Sequence, residues 1–125
     1  KDLSEEFDIR AANVNVPAGT LSGGNQQKIV IAREASVDPE LYVAVQPTRG
    51  LDIGAMDSVQ NMLINIRDKG KAVLLVSMEL DEILAVSDRV AVIYNGQIVA
   101  VVDAESVTRE DLGRMMLNSG KVVEE

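Results

Sequence analysis

The residues best suited to bind an anion are Ser22, Gly23 and Gly24, in the string LSGGNQQK at 21–28. Glycine lets the backbone approach a ligand closely, and the first N–H groups of a helix, together with its dipole, favour negative charge. The Ser22 hydroxyl adds a further donor. The same tripeptide is also typical of a serine N-cap followed by a flexible first turn. On these three residues alone, the N-cap interpretation is favoured.

A second place where chemistry is expected is the end of the apolar run LYVAV at 41–45, which continues into QPTRG. In many α/β nucleotide enzymes a carboxylate sits where such a strand meets its loop, because a metal ion and a water must be held there. Here Val45 and Gln46 occupy that place, and neither is charged. Valine cannot bind a metal, and glutamine hydrogen-bonds a water but accepts its proton poorly. The run is therefore either an ordinary buried strand or a catalytic strand that has lost its chemistry.

Composition excludes several kinds of site. The 125 residues contain no cysteine and no histidine, which excludes disulfides, the usual zinc sites and a Ser-His-Asp triad. Twelve basic against twenty acidic residues give a net charge of −8, which argues against nucleic acid as a partner. A core for one domain has to be built from aliphatic side chains, since only three residues are aromatic.

Charged residues near these strings are not expected to bind a ligand or a metal ion. Lys28, Arg33 and Arg49 are expected to be solvated surface charges rather than anion contacts. An acidic group near a later helix start is explained by the helix dipole rather than by a metal site. Its members are Glu79, Asp81 and Glu82.

Hydrophobic spacing places these strings on an α/β framework. Strands are predicted over 41–45, 72–76, 89–94 and 97–102, and helices at 2–7, from Ser22, over 55–66, near 80–84 and from Thr108. The order predicts a partly parallel sheet with an antiparallel edge. The helix after Ser22 is expected to bury Ile29, Val30, Ala32 and Ala35, and Gly70 to end the next helix.

Other local patterns predict turns and ends. The continuous apolar run AVLLV at 72–76 is expected to be buried on both faces. Asn95-Gly96 predicts a type I′ hairpin turn, and the residues from Thr108 to Asp111 predict a capping box. The chain is expected to fray after Gly120.

The longer strings resemble the ATPase domains of ABC transporters. LSGGNQQK followed by IAREA is similar to the family's signature motif, in the form typical of bacterial sugar and nucleoside importers. QPTRGLDIGA at 46–55 resembles the segment from the Walker B strand through the D-loop. VLLVSMELDEILAVSDRVAVIYNGQIV at 73–99 resembles the switch region and the strands after it. The strings follow the family's order and cover essentially the whole chain.

This resemblance implies a fold and an extent. It implies an α/β, partial P-loop NTPase fold, with a mostly parallel sheet flanked by helices and an antiparallel C-terminal hairpin. The chain is expected to be the C-terminal portion of the second ATPase domain of a tandem protein. Residues 1–37 would end the helical signature region, and residues 38–125 would form part of the RecA-like core. The Gly-Lys pairs at 70–71 and 120–121 do not fit G-x-x-x-x-G-K-[ST], so the P-loop is expected upstream.

The resemblance also assigns a role in trans. Ser22, Gly23, Gly24 and Asn25 are expected to contact ATP that is held by the P-loop of an opposite domain. Asp52 matches the D-loop aspartate of the family. A role in forming the turn after Gly50 is an equally good interpretation of this residue.

Three further positions depart from the family pattern. Val45, Gln46 and Met78 stand where the family carries the Walker B aspartate, the catalytic glutamate and the switch histidine. Val45 and Met78 are expected to be well-packed apolar residues. The three departures predict no metal site and no catalytic residue in cis, so this half has lost hydrolysis in its own site.

The function implied is that of the ATP-binding subunit of a bacterial ABC importer for sugars or nucleosides. ATP and Mg²⁺ are the implied cofactors of the full assembly, and the isolated segment is expected to bind neither and to be inactive. Implied partners are the other ATPase half, two permease subunits and, indirectly, an extracytoplasmic solute-binding protein, on the cytoplasmic face of the plasma membrane. Two alternatives stay open: a non-transport ABC ATPase, and an interaction module without nucleotide. The segment alone is expected to self-associate or to be poorly stable, because sheet edge and apolar surface would be exposed.

Overall fold

The computed structural model describes residues 3–117 and confirms an α/β element order. The helices are α1 (Leu3–Glu6), α2 (Gly23–Ala35), α3 (Ile53–Asp68), α4 (Leu80–Val86) and α5 (Arg109–Leu117), and the strands are β1 (Leu41–Val45), β2 (Ala72–Val76), β3 (Arg89–Tyr94) and β4 (Gln97–Asp103). The expected fraying after Gly120 falls outside the described residues. Within them, no helix has the length and apolarity needed to cross a membrane.

Contacts divide the chain into two compact units, one up to Val76 and one from Ser77. In the first unit, β1 and β2 pair in parallel, with Leu41 opposite Ala72 and Val45 opposite Val76. The connection between them is α3, which packs on β2 and on α2. Its apolar spacing is confirmed, because one helical face is buried. That face consists of Val59, Met62, Leu63 and Ile66.

The end of α3 is confirmed at the predicted glycine. Gly70 has a φ of +87°, a conformation that glycine adopts without the steric cost a side chain brings. Its N–H donates to the carbonyl oxygen of Arg67 at 2.8 Å, which satisfies one of the unpaired carbonyls of the last turn.

One face of the β1–β2 pair is exposed, so the prediction of a strand buried on both faces is wrong. Side chains alternate along paired strands, so every second residue of β1 shares a face with its partner on β2. The exposed fractions are 54% for Leu41, 59% for Val43, 62% for Val45, 52% for Leu74 and 45% for Val76. The expectation that Val45 is well packed is therefore also wrong. The apolar run at 72–76 is typical of a strand whose sheet is covered on both faces, whereas here α3 covers only one face.

The buried residues of α2 are Gly24, Lys28 and Ala32, so the predicted apolar face is confirmed only in part. Ala32 is buried as expected, but Val30 is 44% exposed, and Lys28 is 7% exposed rather than a solvated surface charge. The Lys28 ammonium donates to the carbonyl oxygen of Asp8 at 2.8 Å and to its carboxylate at 3.1 Å. Burial of the amine is stabilised by these two acceptors, since an unpaired buried charge is strongly unfavourable. The contact with Lys28 lowers the pKa of Asp8 below its ordinary value of 3.8.

In the second unit, β3 and β4 form an antiparallel hairpin whose turn is confirmed. Asn95 and Gly96 have φ angles of +47° and +75°, as a type I′ turn requires. The hairpin contains a bulge between Val92 and Ile93, which the alternating pattern did not predict. Hydrogen bonds join the strands of residues 3–117 into two separate two-stranded sheets. The prediction of one partly parallel sheet with an antiparallel edge is therefore wrong.

A capping box at the start of α5 is confirmed. The Thr108 N–H donates to the Asp111 carboxylate at 3.0 Å, and the Asp111 N–H donates to the Thr108 hydroxyl at 3.2 Å. These reciprocal bonds satisfy two backbone donors at the helix start. The Thr108 hydroxyl and N–H lower the pKa of the Asp111 carboxyl, because both donate to its charged form.

The exposed sheet face generates a prediction about association. We expect Val43→Lys to reduce self-association of the chain, because a charge at this 59% exposed position disfavours burial of the face against another copy. Light scattering over a concentration series measures the effect. The matched control is Val37→Lys, at a 72% exposed position outside the strands. A wild-type chain that stays monomeric at high concentration would contradict the expectation.

The Asp8–Lys28 contact generates a prediction about pH. Because the pKa of Asp8 is lowered below 3.8, its stabilising contribution is present above that value and is lost as pH falls through the lowered pKa. We therefore expect Asp8→Asn to be less stable than wild type at neutral pH, with the gap closing below pH 3.8. Urea unfolding across this pH range measures the gap.

A matched control separates the lysine contact from the mere loss of a carboxylate. Asp57→Asn changes an exposed aspartate for which no ion pair is found among residues 3–117. A gap of the same size and pH dependence in this variant would contradict a specific role for the Lys28 contact.

Candidate functional site

The start of α2 combines an N-cap with unused backbone donors. Ser22 is the N-cap, and its hydroxyl oxygen accepts from the Asn25 N–H at 3.4 Å and from the Asn25 side-chain amide at 3.1 Å. The N-cap interpretation is therefore confirmed. Among residues 3–117, no acceptor is found for the N–H groups of Gly23 and Gly24, as expected for the first turn of a helix. Capping and anion binding are thus compatible at this helix end.

The two glycines have different surroundings. A Cβ placed on Gly23 would lie 3.6 Å from a Leu51 methyl group, an ordinary van der Waals contact. A Cβ on Gly24 would lie 2.7 Å from the Ala55 Cβ, which is closer than real side chains pack. Gly24 is also buried, whereas Gly23 is exposed. Gly24 is thus required by the approach of two helices, a reason that the sequence did not reveal.

Asp52 lies at the start of α3, beside this glycine pair. Its carboxylate accepts from the Ala55 N–H at 2.9 Å, which makes it the N-cap of the helix. A carboxylate at a helix N-terminus is favoured both by the hydrogen bond and by the dipole. The structure therefore brings Ser22, Gly23 and Gly24 together with the loop that carries Asp52. Ala55 is the residue that joins them, and sequence reasoning did not identify it.

The amide side chains after the glycines are used inside the chain. The Asn25 side-chain oxygen accepts from the Arg10 N–H at 2.9 Å, while its amide nitrogen donates to Ser22. The Gln26 amide donates to the carbonyl oxygen of Leu21 at 2.8 Å. These bonds hold the preceding loop and orient the Ser22 hydroxyl. Arg33 pairs with Glu34 at 2.7 Å and stays exposed, as expected for a surface charge.

The end of β1 carries no acid but has an unusual backbone. Gln46 has a φ of +50°, which is uncommon for a residue with a side chain. Its N–H donates to the carbonyl oxygen of Val76 at 2.8 Å, and its carbonyl oxygen accepts from the Arg49 N–H at 3.2 Å. Thr48 is 2% exposed in the turn that follows. The turn is thus well defined, and no group of three or more candidate metal ligands comes together anywhere in residues 3–117.

Met78 lies in the second unit and is 73% exposed, so its expected packing is wrong. The acidic group after it is also more structured than the dipole interpretation predicts. Asp81 forms an ion pair with Arg109 at 2.9 Å, which links α4 to the first turn of α5. Glu82 is 3% exposed. Burial of this carboxylate on α4 could not be read from its helical position alone.

A cleft of about 360 Å³ lies elsewhere in the first unit, between α1 and the ends of α2 and α3. Phe7 and Met62 line its apolar part, and Lys69 and Lys71 lie among its polar residues. Burial raises the pKa of the Tyr42 hydroxyl in this cleft. None of the site residues predicted from the sequence lines it.

Comparison with curated proteins reveals close relatives. The chain is 55% identical over 117 residues to the nucleoside import ATP-binding protein NupA of Lactococcus lactis, which covers 94% of the chain and 23% of that protein. It is 50% identical to the guanosine import ATP-binding protein NupO of Bacillus subtilis, over 95% of the chain and 23% of that protein. It is 41% identical to the ribose import ATP-binding protein RbsA of Roseobacter denitrificans, over 91% of the chain and 22% of that protein. The chain thus spans less than a quarter of the length of these relatives.

Solved structures show the same fold. A nucleotide-free ATP-binding cassette from an ABC transporter is 29% identical with a TM-score of 0.75, over 98% of the chain and 46% of that structure. A dimeric bacterial ABC transporter cassette, 23% identical, has a TM-score of 0.70 over 82% of the chain and 44% of that structure. No protein-family model matches the chain. On the sequence relatives and the shared fold together, the chain corresponds to a part of an ABC transporter ATP-binding protein.

Proposed function

We propose that the chain acts within a longer ATP-binding subunit of an ABC importer. The observation that carries this is the 55% identity to a nucleoside import ATP-binding protein over 94% of the chain. The relatives at 55% and 50% identity have nucleoside and guanosine in their names, which favours a nucleoside over a sugar as the solute. In this subunit, residues 1–37 end the helical signature region and residues 38–125 belong to the RecA-like core.

The proposed role of α2 is to complete a nucleotide site in trans. The N–H groups of Gly23 and Gly24 point to no acceptor within residues 3–117, and the N-terminal end of a 13-residue helix carries a partial positive charge. The Ser22 hydroxyl retains a proton to donate, since its oxygen accepts from Asn25. These groups fit a γ-phosphate whose remaining contacts come from the P-loop of an opposite domain. The dimeric cassette of the same fold supports such a pairing.

The proposed site in cis is degenerate. Val45 offers no ligand to a metal and Gln46 is a poor base, so the end of β1 cannot hold Mg²⁺ or deprotonate a water. The Met78 thioether carries no hydrogen-bond donor, so it cannot donate to a phosphate oxygen. ATP and Mg²⁺ therefore belong to the full assembly, where Mg²⁺ would neutralise phosphate charge.

Transport is proposed to follow when the two ATPase domains close on the ATP that lies between them. ATP that contacts α2 only in the closed arrangement favours that arrangement by its differential affinity. Closure would then drive two permease subunits between conformations, with a solute-binding protein delivering the solute outside. The subunit is proposed to lie peripherally on the cytoplasmic face of the membrane, bound to permease loops.

A pair of substitutions separates chemistry in trans from chemistry in cis. In the complete ATP-binding subunit, we expect Gly23→Glu to abolish ATP turnover, with a loss of about a hundredfold or more, because the acid repels the phosphate from the donors. A Cβ on Gly23 would make only an ordinary contact, at 3.6 Å from a Leu51 methyl group. Gln46→Ala is expected to leave turnover nearly unchanged. Steady-state phosphate release measures both.

Gly113→Glu is the matched control, because a Cβ at this position in α5 meets nothing within 4 Å. It introduces the same acid on a different helix, distant from α2 in the sequence, and ATP turnover should persist. The reverse pattern, with Gln46→Ala inactive and Gly23→Glu active, would place hydrolysis in this half and overturn the proposal.

A further inference from the structure

At the proposed site, α2 and α3 approach each other closely at Gly24 and Ala55. A Cβ on Gly24 would lie 2.7 Å from the Ala55 Cβ and 3.7 Å from the Ala55 Cα. Carbon atoms in contact normally lie about 3.5–4.0 Å apart. The first turns of α2 and α3 therefore sit so close that one of the two positions has to lack a methyl group.

Ala55 has a second contact that makes this approach consequential. Its N–H is the donor that the Asp52 carboxylate caps, at 2.9 Å. The Ala55 methyl group thus faces Gly24 of α2, while its backbone fixes the N-cap of α3. On the other side, Gly24 lies two residues after Ser22, the N-cap of α2. The starts of α2 and α3 therefore meet at this contact.

We propose that Gly24 is a positioning residue, whose missing side chain locks the N–H groups at the start of α2 to the Asp52 loop so that the two move as one body. The inference rests on the proposed function, in which the start of α2 contacts ATP and Asp52 lies in the D-loop. It differs from a role in close ligand approach, which Gly23 fits better because it is exposed and has room for a Cβ.

Exchange of the methyl group between the helices tests this directly. In the complete ATP-binding subunit, Gly24→Ala should lower kcat on the order of a hundredfold, the size of effect that a misplacement of about 1 Å produces. The KM for ATP should change little, since the P-loop that binds ATP is elsewhere. Adding Ala55→Gly leaves the new methyl group 3.7 Å from the Ala55 Cα, an ordinary contact, and should restore kcat.

Two single variants serve as controls. Ala55→Gly alone measures the loss of helix propensity at this position. Gly113→Ala adds a methyl group to α5, where a Cβ would meet nothing within 4 Å, and should keep the wild-type kcat. Circular dichroism and urea unfolding of each variant report whether the fold is retained.

Each outcome decides the inference. Restored turnover in the double variant supports it, including where Gly24→Ala alone does not fold. Normal turnover in Gly24→Ala overturns it, as does a double variant that remains inactive, whether folded or not. Failure of the proposed function is recognised separately, because Gly23→Glu would then leave turnover intact irrespective of the methyl exchange.

Discussion

The buried face of α3 is the constraint on which the first unit depends. Removing a large side chain from such a face costs about 2–5 kcal/mol, a large share of a small domain's stability. The same helix packs on β2 and on α2, so its position sets the parallel strands and α2 together. Ala55 continues this helix toward its N-terminus, where it meets Gly24. The geometry at the start of α2 is therefore a consequence of core packing.

At that start, backbone and side chains serve different purposes. The N–H groups of Gly23 and Gly24 have no acceptor among the described residues, whereas the Asn25 and Gln26 amides bond within the chain. An arrangement of this kind keeps donors available without leaving the surrounding loop unsatisfied. Donors that are fixed before a ligand arrives need little reorganisation on binding.

Local patterns were the part of the fold that the sequence could predict. The turn at Asn95 and Gly96 and the capping box at Thr108 depend on residues within four positions of each other, and both are confirmed. The apolar face of α3 recurs at helical spacing from Val59 to Ile66, so its period is unambiguous. The family resemblance of the longer strings was confirmed by relatives at up to 55% identity.

Features that depend on distant partners were not predictable. Lys28 is buried because Asp8, twenty positions earlier, supplies two acceptors, and no helical period encodes that. Leu74 is exposed because α3 covers one side of the sheet only, although its run is uniformly apolar. The need for Gly24 comes from a residue thirty-one positions later. The assigned roles of Val45, Gln46 and Met78 remain predictions.

The loop before α2 is fastened to that helix at two points. Asp8 is bound by Lys28, and the Arg10 N–H is bound by Asn25, so the loop returns to α2 close to where it begins. The cost of closing a flexible loop rises by only about 0.6 kcal/mol for each doubling of its length. Residues 11–16 are mostly exposed and carry no helix or strand. Insertions there should therefore lengthen the loop without shifting α2, the helix that carries both Lys28 and Asn25.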